Sequence, residues 1–261
     1  MKREDEESME QQYGSNLTVK RYESREPMGQ AVADDVAAEI QRQLERKPVV
    51  SIVFASAPSQ LDFLRALRAK EGIPWERVVA FHLDEYIGLP AEAEQSFSAF
   101  LREELFQYRQ PRHFHQIDGL NDPADECRRY TKLLADAPLD IACIGIGENG
   151  HIAFNDPHVA DFQDPAMIKP VELDELSRIQ QVNDGCFPRL EDVPTRALTL
   201  TIPAILGASS IYCTVPGIRK SEAVRRTLTG EIDVACPASI LRTASRCTLY
   251  LDRESASLLA E

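Results

Sequence analysis

The sequence predicts a single α/β domain in three layers, a mainly parallel sheet flanked by helices in a modified Rossmann-like arrangement. Buried strand-like runs alternate with amphipathic helical stretches along most of the chain. Several of those runs, such as PVVSIVFAS and PLDIACIGIG, are almost continuously apolar, as strands covered on both faces must be. At 261 residues with 43% hydrophobic and 27% charged side chains, the chain can bury one large core.

The elements follow in order. The opening MKREDEESMEQQYGSN has five acidic residues among its first ten, so residues 1–16 read as a disordered acidic tail and 17–261 as the domain. LTVKRY alternates as a strand does, and GQAVADDVAAEIQRQLERK carries apolar residues at helical spacing. The strand PVVSIVFAS leads to a helix from Pro58 to about Lys70, and RVVAFHL to a polar loop reaching about Glu94. QSFSAFLREELF reads as a helix, HFHQI as a short strand, DECRRYTKLLAD as a helix and PLDIACIGIG as the next buried strand. RALTLTI, SIYCTV and CTLYL are further strands, with helices over about 220–228 and around ASILRTA.

Bulk properties narrow the function. A net charge of −13 removes the basic footprint that nucleic-acid binding needs. No apolar run has the ~20 residues of a membrane span, and no export signal is evident at the N-terminus. Six cysteines without a C-x-x-C pattern read as reduced core residues, so a cytoplasmic protein is expected.

Ligands of open α/β sheets collect beyond the carboxyl ends of the strands, here after Ala55, His82, Ile144 and Val215. The loop after Ile144, GIGENGHIAFNDP, contains G-x-G-x-x-G at Gly145, Gly147 and Gly150. A dinucleotide turn also needs a helix opening at the third glycine and a place in the first βα unit. Pro157 and Pro165 argue against the helix, and three strand-helix units precede this one, so the dinucleotide enzyme is the weakest reading. Polar groups crowd the same loop at Glu148, Asn149, His151, Asn155 and Asp156. A histidine beside a carboxylate can shuttle protons near neutral pH; the plainer alternative is a turn in which these groups satisfy backbone. The loop after His82 supplies Asp84 and Glu85, of which strand alternation lets one reach the cleft as a base.

HLDEYIGLP and GIGENGHIAFNDP, in that order, with EDVPTRALTLTI (191–202) and VPGIRK (215–220), resemble the glucosamine-6-phosphate deaminase/isomerase family. Related 6-phosphogluconolactonases tend to carry D-E-R and G-H-T-A-S-L-F-P instead; Tyr86 and His151-Ile152-Ala153-Phe154-Asn155 side with the deaminases. The resemblance implies a cofactor-free conversion of an amino-sugar 6-phosphate and water to a ketose 6-phosphate and ammonia. It implies that His151, assisted by Asp156, opens the ring and that Asp84 moves a proton between C2 and C1. Glu85 and Asn149 complete the candidate catalytic set; Ser56, Ser59, Gly147, Gly150 and Lys220 form the substrate-binding set, Lys220 facing the phosphate. Homo-oligomers are common in that family, and a small-molecule sugar phosphate is the implied partner.

Three positions depart from the family pattern. Ala55-Ser56-Ala57-Pro58-Ser59 stands where Thr-Gly-Gly-Thr/Ser is usual, and Pro58 removes a backbone donor. The position of a family arginine that contacts phosphate falls near Gly185 here, so that arginine is missing; Arg189, Arg219 and Arg225 are the candidate replacements. Asp156 is shorter than the usual glutamate, and Asn149 replaces an aspartate found in some members. A sugar-lactone hydrolase and a non-catalytic sugar-phosphate sensor are the alternatives.

Overall fold

The computed structural model describes residues 9–13 and 16–260. Strands are β1 (Met9–Tyr13), β2 (Leu17–Tyr22), β3 (Val50–Phe54), β4 (Val78–His82), β5 (Asp84–Tyr86), β6 (His113–His115), β7 (Ile141–Ile144), β8 (Ile168–Glu172), β9 (Arg196–Leu200), β10 (Ser210–Val215) and β11 (Cys247–Asp252). Helices are α1 (Arg25–Leu44), α2 (Leu61–Ala69), α3 (Phe97–Leu101), α4 (Pro123–Asp136), α5 (Glu175–Asn183), α6 (Ile202–Leu206) and α7 (Ser221–Thr229). The main sheet has the order β1-β2-β11-β10-β7-β3-β4-β6 and is parallel except for β1.

The expected three layers are present. Strand alternation sends Val50, Ile52 and Phe54, with Ile141 and Cys143, to one face, where Val32 and Val36 of α1 and Phe63 and Leu67 of α2 cover them. Val53, Phe81, Ala142 and Ile144 point to the other face, against Tyr130 and Leu134 of α4 and Val224 and Leu228 of α7. Burying both faces explains why these strands read as unbroken apolar runs.

Three expectations need correction. The acidic tail does not extend to residue 16 as an unstructured segment: β1 pairs antiparallel with β2, from Met9 opposite Arg21 to Tyr13 opposite Leu17. An edge strand is held by backbone pairing and needs little apolar surface, so its polar composition concealed it. Residues 1–8 lie outside the described residues.

The polar loop after His82 begins with a strand. β5, β9 and β8 form a second, antiparallel sheet, with Asp84 opposite Thr199 and Tyr86 opposite Ala197. RALTLTI therefore belongs to this small sheet, and α6 begins at its end, where Thr201 Oγ1 accepts from Ala204 N at 3.3 Å. Pro170 lies in β8, an edge strand, the position where a sheet tolerates proline. A third core of Tyr86, Phe97, Phe154, Val171, Phe187 and Val193 fixes this sheet against the segments that bound the cleft.

The helix expected over QSFSAFLREELF opens at Ser96, whose Oγ accepts from Ala99 N at 3.3 Å. It runs as α3 and passes into a π-helical turn over Arg102–Phe106.

Candidate active site

A cleft with about 530 Å³ of atom-free space opens beyond the carboxyl ends of β3, β4, β7 and β10. Ser56, Ser59, Asp84, Gly147, His151 and Lys220 all line it. The loops after Ala55, His82, Ile144 and Val215 thus converge as the strand-end rule anticipates.

Asp84 and Glu85 separate as the pleat requires. Asp84 faces the cleft and is 8% exposed. Burial, and then the neighbouring Glu85 charge, push its carboxyl well above the usual carboxylate range. Glu85 turns away. Its carboxylate accepts from Ser96 Oγ at 2.8 Å, Ser98 N at 3.1 Å, Phe97 N at 3.2 Å and Tyr86 N at 3.1 Å. It therefore holds the start of α3, and its expected place among the catalytic groups is corrected: the backbone donors at a helix N-terminus claim it. Tyr86 is fully buried in the third core and does not line the cleft.

His151 faces the same cleft. Its Nδ1 lies 2.8 Å from Asn149 Oδ1, 3.0 Å from Asp156 Oδ1 and 2.9 Å from Ser177 Oγ. These contacts hold the Nδ1 proton and leave Nε2 without a protein hydrogen bond among the described residues. Asp156 Oδ1 also accepts from Asn149 Nδ2 at 3.0 Å and Ser177 Oγ at 2.5 Å, while Oδ2 accepts from Asp174 N at 3.2 Å. Burial alone would raise the Asp156 carboxyl. The hydrogen bond and charge of His151, with Asn149 and Ser177, outweigh it and hold the group at about 2. Asn149 and Asp156 sit behind the ring and do not line the cleft.

The glycines serve this histidine. A Cβ on Gly147 would lie 2.1–2.3 Å from three His151 ring atoms, so only glycine lets the ring pack there. Gly147 N donates to His151 O at 2.9 Å and Gly150 N to Gly147 O at 3.0 Å. Both amides are thus occupied within the loop, and the two glycines are corrected from substrate donors to loop-shaping residues. Gly150, at φ +92°, does not line the cleft; a Cβ there would meet Cys236 Sγ at 2.8 Å. No helix opens at Gly150, which counts further against the dinucleotide reading. The HIAFN turn is pinned to the second sheet: Phe154 N donates to Thr199 Oγ1 at 3.0 Å and Asn155 Nδ2 to Leu200 O at 2.8 Å. Ala153 takes φ +51° within it and lines the cleft.

Lys220 also lines the cleft, 6% exposed and without an ion pair among the described residues. Burial lowers its ammonium to about 8, although Asp184 and Glu148 act to raise it. Ser56 Oγ is buried and unpartnered nearby, and Ser59 Oγ accepts from Gln60 Nε2 at 3.1 Å. Among the proposed arginine replacements, Arg189 pairs with Asp192 at 3.0 Å and Arg225 with Glu222 at 2.6 Å. Neither lines the cleft. Arg219 does not line it either; it pairs with Glu148 at 3.1 Å and Asp184 at 2.6 Å and lines an adjoining groove that shares Ser59 and Lys220 with the cleft.

Sequence reasoning missed α5, which delivers Ser177 to the histidine and Gln180 and Gln181 to the cleft wall. The segment had signals: Asp174 caps it, accepting from Leu176 N at 2.9 Å, and Gly185 at φ +78° follows it. Gln60 and Phe97 were also missed as lining residues.

With a raised carboxyl on one side and a carboxylate-backed imidazole on another, the cleft can exchange protons with a small polar substrate. The family model for glucosamine-6-phosphate isomerases/6-phosphogluconolactonase matches residues 23–250. Glucosamine-6-phosphate deaminases of Bacillus cereus and Bacillus thuringiensis are 35% identical over 246 residues, 94% of this chain and 89% of theirs. The solved structure of a monomeric glucosamine-6-phosphate deaminase superposes with a TM-score of 0.84 at 33% identity, covering 92% of this chain and 99% of that one. The fold is shared with the Thermotoga maritima 6-phosphogluconolactonase, at 18% identity and a TM-score of 0.74 over 90% of this chain and 99% of that one. The chain therefore belongs to the glucosamine-6-phosphate isomerase/6-phosphogluconolactonase family.

Proposed function

We propose that the protein is a deaminating aldose-ketose isomerase of amino-sugar metabolism, with glucosamine 6-phosphate as its reference substrate. The observation that carries this reading is the convergence in one cleft of Asp84, with its raised carboxyl, and His151, with Nδ1 tied to an ionised Asp156. A sensor has no need of two such groups, and glucosamine-6-phosphate deaminases are among the relatives of this chain.

His151 Nε2 takes the anomeric hydroxyl proton and returns a proton to the ring oxygen, which opens the pyranose. Asp156 stays ionised and stabilises the imidazolium formed in between. Asp84 as carboxylate removes the C2 proton, giving an enolamine, and delivers a proton to C1. Water adds to the resulting C2 imine; the C–N bond breaks, and ammonia leaves with the ketose 6-phosphate. No cofactor enters the proton balance.

The assay is direct. Glucosamine 6-phosphate should yield ammonia and fructose 6-phosphate in equal amounts; absence of both at millimolar substrate would remove this assignment.

Ser177 is a positioning residue in this scheme. Ser177→Ala should lower kcat roughly tenfold with KM little changed, because one of three contacts to Nδ1 and one of three donors to Asp156 Oδ1 are lost. Ser177→Thr should restore part of the rate. A variant with altered stability but unchanged kcat would show that Ser177 is only structural.

A further inference from the structure

The charges around Lys220 cancel before any substrate arrives. Lys220 is the only lysine or arginine lining the cleft among the described residues. The charged groups acting on it are Asp184, Glu148 and Arg219. Arg219 is bound to both carboxylates, so these four side chains carry two positive and two negative charges. In the adjoining groove Arg25 is paired with Asp62 at 3.0 Å and Glu254 accepts from Ile218 N at 3.3 Å, which adds no excess positive charge. Inside the cleft the other ionisable groups are Asp84 and His151.

Lys220, Asp84 and His151 aside, the polar side chains lining the cleft are uncharged. Ser56 Oγ is buried without a hydrogen bond, and Ser59 and the Gln181 carboxamide line the wall. Gln60 Oε1, also buried and unpartnered, is an acceptor that repels an additional negative oxygen; its Nε2 is held by Thr214 O at 3.2 Å. A phosphate monoester carries close to two charges above pH 7, whereas a sulfate ester or a carboxylate carries one. A buried charge needs a partner of its own, and the cleft supplies one unpaired cation.

Given the deaminating-isomerase reading, we propose that the amino sugar this cleft prefers bears a singly charged oxyanion, sulfate or carboxylate in class, at the end facing Lys220, Ser56 and Gln181. Glucosamine 6-phosphate is then accepted best in its singly protonated form.

Ammonia release from glucosamine 6-sulfate and glucosamine 6-phosphate tests this. At pH 7.5 the sulfate should show kcat/KM about tenfold higher or more, and the ratio should shrink toward pH 6 as the phosphate takes up a proton. Using the ratio cancels the shared titration of Asp84 and Lys220. Asp184→Asn, which releases Arg219 from one carboxylate, should raise kcat/KM for the doubly charged phosphate about tenfold and for the singly charged sulfate by only about threefold. A phosphate preference at pH 7.5 would overturn the proposal. So would an Arg219→Gln variant that loses phosphate turnover selectively, because Arg219 would then be the second cation. If neither sugar releases ammonia the isomerase reading fails; calorimetric binding of the same two sugars still decides the charge preference, tighter binding of the sulfate supporting it and of the phosphate overturning it.

Discussion

Asp84→Asn should reduce kcat by about 10³-fold, within the range lost with a general base, while making the protein more stable. The carboxyl is 8% exposed and is pushed upward by burial and by Glu85. A folded-state value above the unfolded one means that the native protein binds more protons between the two. Stability is therefore fully present below the unfolded value near 3.8 and falls as pH rises through the raised one. An uncharged asparagine removes that loss. The variant's Tm should exceed the wild type's at pH 7.5 and converge with it near pH 4, by ~2–4 °C per kcal/mol for a chain of this size. The same raised carboxyl must be ionised to act as a base, so wild-type kcat/KM should fall on acidification at a pH well above that of an ordinary aspartate. Thermal melts at the two pH values, with the pH-rate profile, check both statements. An Asp84→Asn variant that is inactive but less stable at pH 7.5 would mean that the carboxylate is held by contacts absent from this account.

Gly147→Ala should cost about 10²-fold in kcat without unfolding the chain, since ångström-scale misplacement of a catalytic group has effects of that size. The new methyl would stand 2.1–2.3 Å from the His151 ring, and the ring is fixed by Asn149, Asp156 and Ser177. The ring must leave its site or the loop must shift. Gly147 has no left-handed φ, so the substitution adds contact strain without backbone strain. Histidine NMR should show the 151 imidazole losing its Nδ1-bound proton signal. Wild-type kcat with that signal unchanged would contradict the packing described here.

The strand ends that build the cleft were legible because a sheet covered on both faces leaves long apolar runs, and polar residues just past them stand out. Asp84, His151 and Lys220 were found in this way and through motif resemblance. The roles of their neighbours were not. Whether Asp84 or Glu85 faces the cleft depends on the pleat of β5, a strand whose antiparallel partner lies more than a hundred residues away. Gly147 and Gly150 read as amide donors in sequence, but their amides close the loop on itself. Ser177, Gln180 and Gln181 lie on a short helix with many polar residues, and only the tertiary fold brings them to the histidine loop. The edge strand β1 was hidden for a different reason, because backbone pairing leaves little trace in side-chain composition.

In the proposed reaction Asp84 moves a proton from C2 to C1 of a substrate opened by His151. NMR of the products formed from [2-²H]glucosamine 6-phosphate in D₂O tests it most directly. Ammonia should be released one for one with a ketose 6-phosphate bearing one deuterium at C1, and Asp84→Asn should form both products about 10³-fold more slowly. Ammonia accompanied by an aldose that retains deuterium at C2, or full turnover by the variant, would contradict it.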